Sequence, residues 1–321
     1  MIKILVTGGS GFIGTNLINF LLENSISVLS IDVEQPKVER HLSFFKKCDI
    51  RDFELLYDCC SKFNPDYIIH LAARTDLIES KNINNYDSNI IGVQNLVRIS
   101  DKLKSLKKIV YTSSMLVNEV GYRPKFDTDY NPNSLYGRSK VIGEQIVFES
   151  TFKNWVIIRP TSIWGPWFKE PYRNFFNYVL KQKYFSIPKV NCSTKTYGFV
   201  GNSVKQIFDI TFSKNIITNT KIFYIGDYKP LNIFDWSNNI SKIAGLKSIK
   251  AYPFILFKMG GYFGDFLLKL NINFPLTSFR IRNMSTNNIV DLSKTEEITP
   301  DLPFQLSESI QITIDWIKNV E

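Results

Sequence analysis

The sequence predicts an α/β fold in which a doubly wound parallel sheet is joined to a smaller C-terminal substrate-capping domain. Three observations lead to this prediction. A glycine-rich turn at residues 7–14 separates an apolar run from a helical pattern. Strand-like and helix-like segments then alternate as far as about residue 158. After Pro160 the alternation stops, which indicates a second structural region.

The N-terminal part reads as repeated strand and helix units. Apolar or β-branched runs predict strands at residues 2–6, 26–31, 44–50, 67–71, 109–113 and 155–158. Helical spacing predicts helices after the glycine turn and at residues 53–63, 90–103 and 135–152. Single strands at 197–200 and 222–225 and a helix at 234–244 follow. We therefore expect a cofactor domain at 1–166, with elements near 197–226 returning to it, and a substrate-binding region at 167–321.

The composition is that of a soluble globular protein. Apolar residues make up 44% of the 321 residues, and 39 basic residues stand against 30 acidic ones. Because the basic residues are scattered, we interpret the net charge of +9 as a solvated surface plus a site for an anionic substrate, and we expect no nucleic-acid partner. The four cysteines show no metal-binding spacing, and no leader-like segment follows Met1. We expect reduced thiols, no metal and a cytoplasmic location.

Residues 251–270 form the most apolar stretch of the chain. Pro253, Lys258, Asp265, Lys269 and several glycines interrupt it, so no transmembrane segment is expected. A buried helix of the cap or a dimer surface is the simpler interpretation. A helix lying on a membrane surface is the alternative.

The glycine-rich turn has the residues that a dinucleotide needs. Gly8 allows a tight turn, Gly11 lets the backbone approach a pyrophosphate, and Gly14 permits close packing of helix on sheet. The phosphates would bind amide N–H groups at the start of the helix. Asp32 ends the second predicted strand, where a carboxylate accepts ribose hydroxyls and repels a 2′-phosphate. No arginine follows at 33–36, so the sequence predicts a Rossmann site for NAD rather than NADP.

Tyr136 and Lys140 lie four residues apart on a predicted helix and so share one of its faces. A lysine ammonium near the phenol is expected to lower the phenol pKa and make Tyr136 a usable general acid/base. Ser114 ends the preceding predicted strand, where its hydroxyl can bind the reacting oxygen. The sequence therefore predicts Ser114, Tyr136 and Lys140 as the catalytic residues.

The chain resembles the extended short-chain dehydrogenases/reductases and, among them, the NAD-dependent epimerase/dehydratase family. The resemblance covers most of the chain and rests on TGGSGFIG at 7–14, Asp32, CDIRD at 48–52, HLAA at 70–73, NIIG at 89–92, YTSS at 111–114, YGRSK at 136–140, Arg159-Pro160 and Gly165-Pro166. It implies an enzyme in which the nicotinamide takes a hydride while Tyr136 exchanges the proton of a substrate hydroxyl.

The resemblance also implies which residues contact the ligands. Asp49 and Ile50 are expected at the adenine, Ala72 along the cofactor channel and Asn89 in the polar network of the active site, whereas His70 is interpreted as structural. The expected cofactor contacts are Gly8, Gly11, Phe12, Ile13, Asp32, Asp49, Ile50, Leu71, Ala72, Ala73, Asn89, Tyr136, Lys140 and Pro160. The expected substrate contacts are Ser114, Ser162, Arg280 and Arg282.

Three departures from relatives bear on the reaction. Sugar-nucleotide dehydratases of the family carry an acidic pair just after the catalytic Ser or Thr, whereas Met115-Leu116 stands here, which disfavours a dehydratase. Ser162 replaces the asparagine of typical UDP-galactose 4-epimerases, and Lys195 replaces a usual arginine. Residues 159–166 together with the apolar stretch resemble 3β-hydroxysteroid dehydrogenase-like relatives.

The leading hypothesis is NAD-dependent oxidation and reduction at a secondary hydroxyl, C4, of a nucleotide-activated sugar, by a homodimeric epimerase. A sugar-nucleotide dehydrogenase or 4-ketoreductase, a 3β-hydroxysteroid-type dehydrogenase and a non-catalytic NAD-binding protein are the alternatives. Arg280 and Arg282 are candidates for the substrate diphosphate, because residues two apart share a face if the segment is extended.

Overall fold

The computed structural model describes residues 1–76, 82–213, 221–270, 272, 274 and 276–320. Its strands are β1 Lys3–Thr7, β2 Ser27–Asp32, β3 Phe45–Lys47, β4 Tyr67–His70, β5 Lys108–Thr112, β6 Trp155–Pro160, β7 Ser162–Trp164, β8 Thr194–Lys195, β9 Tyr197–Phe199, β10 Ile222–Ile225 and β11 Leu231–Asn232. Its helices are α1 Phe12–Glu23, α2 Phe53–Phe63, α3 Asp87–Ser100, α4 Leu135–Phe148, α5 Tyr172–Leu180, α6 Val200–Phe212, α7 Ile233–Ile243, α8 Phe254–Lys269, α9 Ser278–Ser285, α10 Ser293–Glu296 and α11 Leu306–Val320.

A seven-stranded parallel sheet forms the centre of the molecule. Its strand order is β10-β6-β5-β4-β1-β2-β3, and residues Ile4, Leu5 and Val6 of β1 are fully buried within it. Apolar clusters cover the sheet on both faces, as a parallel sheet requires. The predicted doubly wound α/β fold is confirmed. The strand order reverses between β1 and β4, and ligands bind at such switch points, beyond the carboxyl ends of the strands.

Several element boundaries differ from those that the periodicity predicts. The strand expected at 44–50 is only β3, because a 3₁₀ turn precedes it and Asp52 begins α2 shortly after it by accepting a hydrogen bond from the Leu55 N–H. Helix α4 ends at Phe148 rather than at 152. Of the two single strands expected later in the chain, β10 pairs with β6 at the sheet edge, whereas β9 pairs with β7 in a separate two-stranded sheet.

The residues after 166 contribute helices α5 to α11, the edge strand β10 of the main sheet, the small sheet β8–β11, and strand β9, which pairs with β7. Helix α8 falls within the apolar stretch, and its interpretation as a buried helix is wrong, since only Gly261 and Gly264 are buried in it. No helix in the described ranges is long and apolar enough to cross a membrane. Among these same residues, no cluster of His, Cys, Asp or Glu side chains is arranged to hold a metal ion.

Candidate active site

The glycine turn brings the ends of β1 and β4 into contact. Gly8 has a φ of +74°, and a Cβ at this position would lie 2.5 Å from the backbone nitrogen of Ala72. Gly14 lies equally close to the turn, since its Cβ would be 2.1 Å from the Gly8 carbonyl oxygen. Only glycine fits at either position, so the turn and the start of α1 are packed tightly at the switch point of the sheet.

The first turn of α1 is open to an anion. Gly11 is the N-cap residue of α1, and no side chain caps the helix there. The first amides of a helix have no partner within the helix, so those of Phe12 and Ile13 are available for a phosphate. A cradle of backbone amides without side chains fits the diphosphate of NAD.

Asp32 is held next to this turn by two backbone amides. Its Oδ2 accepts a hydrogen bond of 3.0 Å from the Ser10 N–H, and its Oδ1 accepts one of 3.1 Å from the Glu34 N–H. Arg40 is engaged elsewhere, since its guanidinium donates to Asn19 and Glu23. The end of β2 therefore presents a carboxylate that suits ribose hydroxyls and repels a 2′-phosphate.

The residues expected at the adenine are already engaged within the protein. Asp49 forms an ion pair of 2.6 Å with Arg51, whose guanidinium also contacts Asp87. The hydrogen bonds from Arg51 lower the pKa of the Asp49 carboxyl. Ile50 is buried against Gly92, where a Cβ would lie 2.2 Å from the Ile50 Cδ1. Contact of Asp49 and Ile50 with the cofactor stays a prediction, as it does for the half-buried Leu71, Ala72 and Ala73 beyond β4.

The three predicted catalytic residues lie together at the end of β5. Ser134 begins α4 by accepting a hydrogen bond from the Gly137 N–H, which places Tyr136 in its first turn. The Ser114 hydroxyl lies near that of Tyr136 and acts to lower its pKa. Lys140 Nζ donates a 2.9 Å hydrogen bond to the Thr112 carbonyl oxygen and lies 5.9 Å from the centroid of the Tyr136 ring. This is the arrangement of a phenol acid/base supported by a buried cation.

The pKa of Tyr136 differs from the expectation. Burial raises it to about 12, and the Ser114 hydroxyl offsets this only in part. The prediction that Lys140 lowers the pKa of Tyr136 is wrong for the protein without bound ligand. Desolvation of the phenolate outweighs the effects that lower this pKa. Burial lowers the pKa of Lys140 to about 8, and Glu144 opposes that shift. At neutral pH Tyr136 is thus a proton donor beside a lysine that is mostly charged.

Asn89 lies behind the catalytic helix. It is buried, and its side-chain amide accepts from the Arg74 N–H at 2.8 Å and donates to the Ser139 hydroxyl at 2.9 Å. Ser139 in turn donates to the Tyr136 carbonyl oxygen at 2.7 Å. This chain of bonds fixes the first turn of α4. The structure thus gives Asn89 a positioning contact, and its direct contact with NAD stays a prediction.

His70 has a similarly structural environment. Its Nδ1 lies 2.7 Å from the Thr7 hydroxyl, between the neighbouring strands β1 and β4. Burial, assisted by the charge of Lys140, lowers the pKa of His70 to about 3. A neutral imidazole bonded inside the sheet agrees with the structural interpretation of this residue.

The C-terminal region, where the substrate is expected to bind, contacts the segment that follows Ser114. Asn288 Nδ2 lies 3.6 Å from the sulfur of Met115, and Lys195 Nζ donates to the Asn283 carbonyl oxygen at 2.7 Å. Burial lowers the pKa of Lys195 to about 8. Ser162 lies at the start of β7, just beyond Pro160, and is buried near Tyr172. Contacts of Ser162 and Pro160 with ligands stay predictions.

The segment that carries Arg280 and Arg282 is helical rather than extended. Thr277 begins α9 by accepting a hydrogen bond from the Arg280 N–H. Residues two apart on a helix are separated by about 200° of rotation about the helix axis. The premise that both guanidinium groups share a face is therefore wrong. Both side chains are exposed. At most one of them can face a given pocket, and their contact with substrate stays a prediction.

Comparison with known proteins decides the family. The model of the NAD dependent epimerase/dehydratase family matches residues 4–198, which include the glycine turn, Asp32 and the predicted catalytic residues. The chain belongs to this family. It is accordingly an NAD-dependent enzyme of the extended short-chain dehydrogenase/reductase type.

Relatives of this epimerase/dehydratase family member carry several activities. A dTDP-D-glucose 4,6-dehydratase from Dictyostelium discoideum is 30% identical over 75% of the chain and 62% of its own length, so the chain spans less than two thirds of that relative. A putative UDP-glucose 4-epimerase from Methanocaldococcus jannaschii is 26% identical over 98% of both chains. A 3β-hydroxysteroid dehydrogenase/isomerase from Mycobacterium tuberculosis is 25% identical over 76% of the chain and 70% of its own length.

Solved structures agree on the fold. The UDP-glucose 4-epimerase of Thermotoga maritima, solved with UDP-glucose, aligns with a TM-score of 0.76 at 22% identity over 99% of both chains. The UDP-glucuronic acid 4-epimerase of Bacillus cereus, solved with UDP-glucuronic acid and NAD, gives the same TM-score and identity over 100% of both chains. These likenesses confirm the fold of this family member.

The sequence did not predict a buried ion pair that lies behind the site. Glu144 forms a buried ion pair of 2.6 Å with Arg159 of β6, and it also accepts a hydrogen bond of 2.7 Å from the Tyr130 hydroxyl. Glu144 follows Lys140 by four residues, so it lies on the same face of α4 as Tyr136 and Lys140, one turn further along. That spacing was a signal for its placement. The pairing with Arg159 depends on tertiary contact and has no local signal.

Proposed function

We propose that this enzyme is a sugar-nucleotide 4-epimerase that oxidises the C4 hydroxyl of a nucleotide-activated sugar and reduces the resulting ketone from its other face. The observation that carries the proposal is the convergence of Ser114, Tyr136 and Lys140 at the end of β5, where Lys140 Nζ is bonded to the Thr112 carbonyl oxygen and lies 5.9 Å from the centroid of the Tyr136 ring. A protein that only binds NAD has no use for a buried acid/base of this kind.

The protein residues have distinct tasks in the proposed reaction. NAD supplies the hydride acceptor and returns the hydride. Tyr136 takes the proton of the C4 hydroxyl during oxidation and gives it back during reduction, while Ser114 holds the same oxygen by a hydrogen bond. Lys140 stabilises the phenolate by its charge. The raised pKa of Tyr136 favours the second half, in which the tyrosine donates a proton.

The position after Ser114 supports epimerisation over dehydration. Met115 and Leu116 occupy it, and the Leu116 N–H donates to the Ser114 hydroxyl oxygen at 3.1 Å. Elimination of water from a sugar requires an acid and a base beside the neighbouring carbons. Neither side chain can transfer a proton. The likeness to a dehydratase from Dictyostelium discoideum therefore supports the family and cofactor rather than that reaction.

A 3β-hydroxysteroid-type alcohol dehydrogenase is the second candidate. It is favoured by the relative from Mycobacterium tuberculosis, which matches 76% of the chain. The same catalytic residues would oxidise a secondary hydroxyl on an apolar substrate. The nucleotide-sugar proposal is supported more strongly, because the putative UDP-glucose 4-epimerase from Methanocaldococcus jannaschii matches the chain over nearly its whole length.

The proposal is tested with the purified protein and no added cofactor. Released nucleotide is identified as NAD or NADP, and UDP-, GDP- and dTDP-hexoses are followed by proton NMR. We expect bound NAD and conversion of at least one sugar nucleotide into its C4 epimer, at a rate that falls by roughly a hundredfold or more in Tyr136→Phe. Conversion of a sterol alcohol to a ketone with added NAD, together with no change in any sugar nucleotide, would replace the first candidate by the second.

A further inference from the structure

Helix α8 is oriented with its small residues inward and its large apolar residues outward. Gly261 and Gly264 are its buried positions. Outward lie Ile255, Met259 and Tyr262, with exposed fractions of 60%, 63% and 71%. A helix of a water-soluble domain buries its apolar stripe and exposes its polar one. Helix α8 instead buries glycines and exposes large apolar side chains, which indicates that another apolar surface covers it.

The packing of α8 fixes this orientation. A Cβ at Gly261 would lie 2.3 Å from the Ile281 Cδ1, and one at Gly264 would lie 1.8 Å from the Leu276 carbonyl oxygen. Asp265 adds a polar tether, since its Oδ1 accepts a hydrogen bond of 3.1 Å from the Ser278 N–H. The glycines thus allow α8 to lie directly on the start of α9. No side chain larger than hydrogen fits at either glycine, so this close contact determines which face of α8 is turned outward.

The outer face is a continuous apolar surface. Ile255, Met259, Tyr262 and Phe266 follow the i, i+4, i+7, i+11 spacing of one helical stripe, and Leu256, Phe263 and Leu270 lie beside it. All seven are exposed. The surface continues past the start of the helix, where the rings of Tyr252 and Phe185 pack edge to face with centroids 5.6 Å apart.

Basic residues lie at the edge of this apolar face and are frequent in the sequence around it. Residues 242–282 contain seven lysines and arginines and a single acidic residue, Asp265, so this segment carries +6 of the chain's net charge of +9. All seven basic side chains are exposed. Lys258 and Lys269 lie on α8 itself, at the edge of the apolar stripe, and Arg280 and Arg282 lie on the adjoining α9.

We propose that the outer face of α8 docks on an anionic lipid bilayer, with the helix lying in the plane of the interface. The apolar stripe would enter the boundary between headgroups and acyl chains, while the basic rim meets anionic headgroups. The helix has 16 residues and is therefore about 24 Å long, too short to span the bilayer with its lysines.

Charge favours a bilayer over a second copy of the chain. In a two-fold symmetric dimer the same patch meets itself, so the basic rims of both copies would face each other. Like charges facing each other at an interface are unfavourable, whereas an anionic surface complements them. The docking also places α9, which adjoins the substrate side of the enzyme, close to the bilayer.

The test is binding of the NAD-loaded protein to vesicles of phosphatidylcholine with about one-third phosphatidylglycerol, a composition that gives a negative surface. We expect co-sedimentation that weakens at high salt and on pure phosphatidylcholine. The double variant Tyr262→Gln/Phe266→Gln should bind about tenfold more weakly or worse. The matched control Leu42→Gln/Phe126→Gln removes two other exposed apolar side chains, at 47% and 62% exposure, and should bind as the unmodified protein does.

A site-specific probe gives a second readout. The four native cysteines are buried, so an environment-sensitive dye attaches to Tyr262→Cys selectively. Its emission should shift to the blue with anionic vesicles and be quenched by lipids brominated in the acyl chain. Absence of both vesicle binding and the shift would overturn the proposal. So would a concentration-dependent dimer that the Tyr262→Gln/Phe266→Gln variant dissociates, since a second copy would then cover α8. Retained NAD binding in each variant shows that it is folded.

Discussion

The Asp32 carboxylate accepts a hydrogen bond of 3.0 Å from the Ser10 backbone N–H. This bond joins the end of β2 to the glycine turn, so the carboxylate expected to bind the ribose and the backbone expected to bind the diphosphate form one unit. Substitution of Asp32 changes the charge of that unit without removing a glycine, which makes it a clean test of cofactor choice.

We expect NAD to bind at least about tenfold more tightly than NADP, a difference of roughly 1.4 kcal/mol. In Asp32→Ser the difference between the affinities for NAD and NADP should become smaller. The substitution removes both the repulsion of a 2′-phosphate and the acceptor for the ribose hydroxyls. Isothermal calorimetry with both cofactors measures this. Asp315→Ser, which removes an exposed carboxylate on α11, is the charge-matched control and should leave the ratio unchanged. Equal or tighter binding of NADP by the unmodified protein contradicts the prediction.

Tyr136→Phe tests the proton transfer. Turnover should fall by roughly a hundredfold or more, the usual contribution of a positioned acid/base, with NAD affinity retained. Tyr86→Phe is the matched control, since its ring lies 6.2 Å from that of Tyr136 and its hydroxyl donates instead to the Asp76 carbonyl oxygen. Comparable losses in the two variants would show that ring packing rather than the Tyr136 hydroxyl matters.

The pH dependence should report Lys140. Burial lowers the pKa of its ammonium group to about 8. The charged form of Lys140 stabilises the Tyr136 phenolate. This stabilisation is present below the pKa of Lys140 and is lost as the pH rises through it. We expect kcat/KM, which reports groups of the free enzyme, to decline on the alkaline side near pH 8. In Lys140→Arg the decline should disappear from this range, although the overall rate falls. An unchanged alkaline limb in Lys140→Arg would assign it to another group.

The buried pair of Glu144 and Arg159 should matter for stability. Arg159→Met leaves the Glu144 carboxylate buried without its cation, which costs about 3–5 kcal/mol of the free energy of unfolding. The control is Lys62→Met, which breaks the exposed ion pair with Asp58 on α2 and should cost less than about 1 kcal/mol. Urea denaturation followed by tryptophan fluorescence compares the two. Similar losses for both variants would contradict the assigned role of the buried pair.

The sequence predicted those parts of the site that depend on local spacing. The glycine turn, the position of Asp32 at the end of β2 and the shared helix face of Tyr136 and Lys140 follow from residues close together in the chain. The pairing of Glu144 with Arg159 did not, because it joins a helix to a strand across 15 residues of sequence. The pKa of Tyr136 was mispredicted for a related reason, since burial is a property of the folded chain.

The C-terminal region was harder to read from sequence. Threonine is a common helix N-cap residue, so Thr277 was a local signal that the segment with Arg280 is helical. The extended interpretation followed the two-residue spacing of the arginines instead. The outward orientation of α8 could not be predicted, because an apolar stretch implies burial unless its packing partner is known. The glycines at 261 and 264 show in retrospect which face had to lie inward.

The Arg280 and Arg282 variants should now be made one at a time. Because the two side chains point away from each other on α9, replacement of one by alanine should weaken sugar-nucleotide binding by about tenfold or more, a loss expected for a charge-assisted contact, while the other changes it little. NAD affinity should not change in either variant. Titrations with UDP-, GDP- and dTDP-sugars measure the effect. Unchanged affinity in both variants would remove the arginines from the substrate site.

In the proposed reaction a hydride leaves C4 of the sugar and returns to the same carbon through the bound NAD. Turnover of the sugar nucleotide in D₂O, followed by NMR of the product, tests it most directly. We expect a C4 epimer that carries its original hydrogen at C4 and no deuterium at C5, because the proton that Tyr136 transfers belongs to the hydroxyl group. Deuterium at C4 or C5, or a product that has lost water, would contradict it.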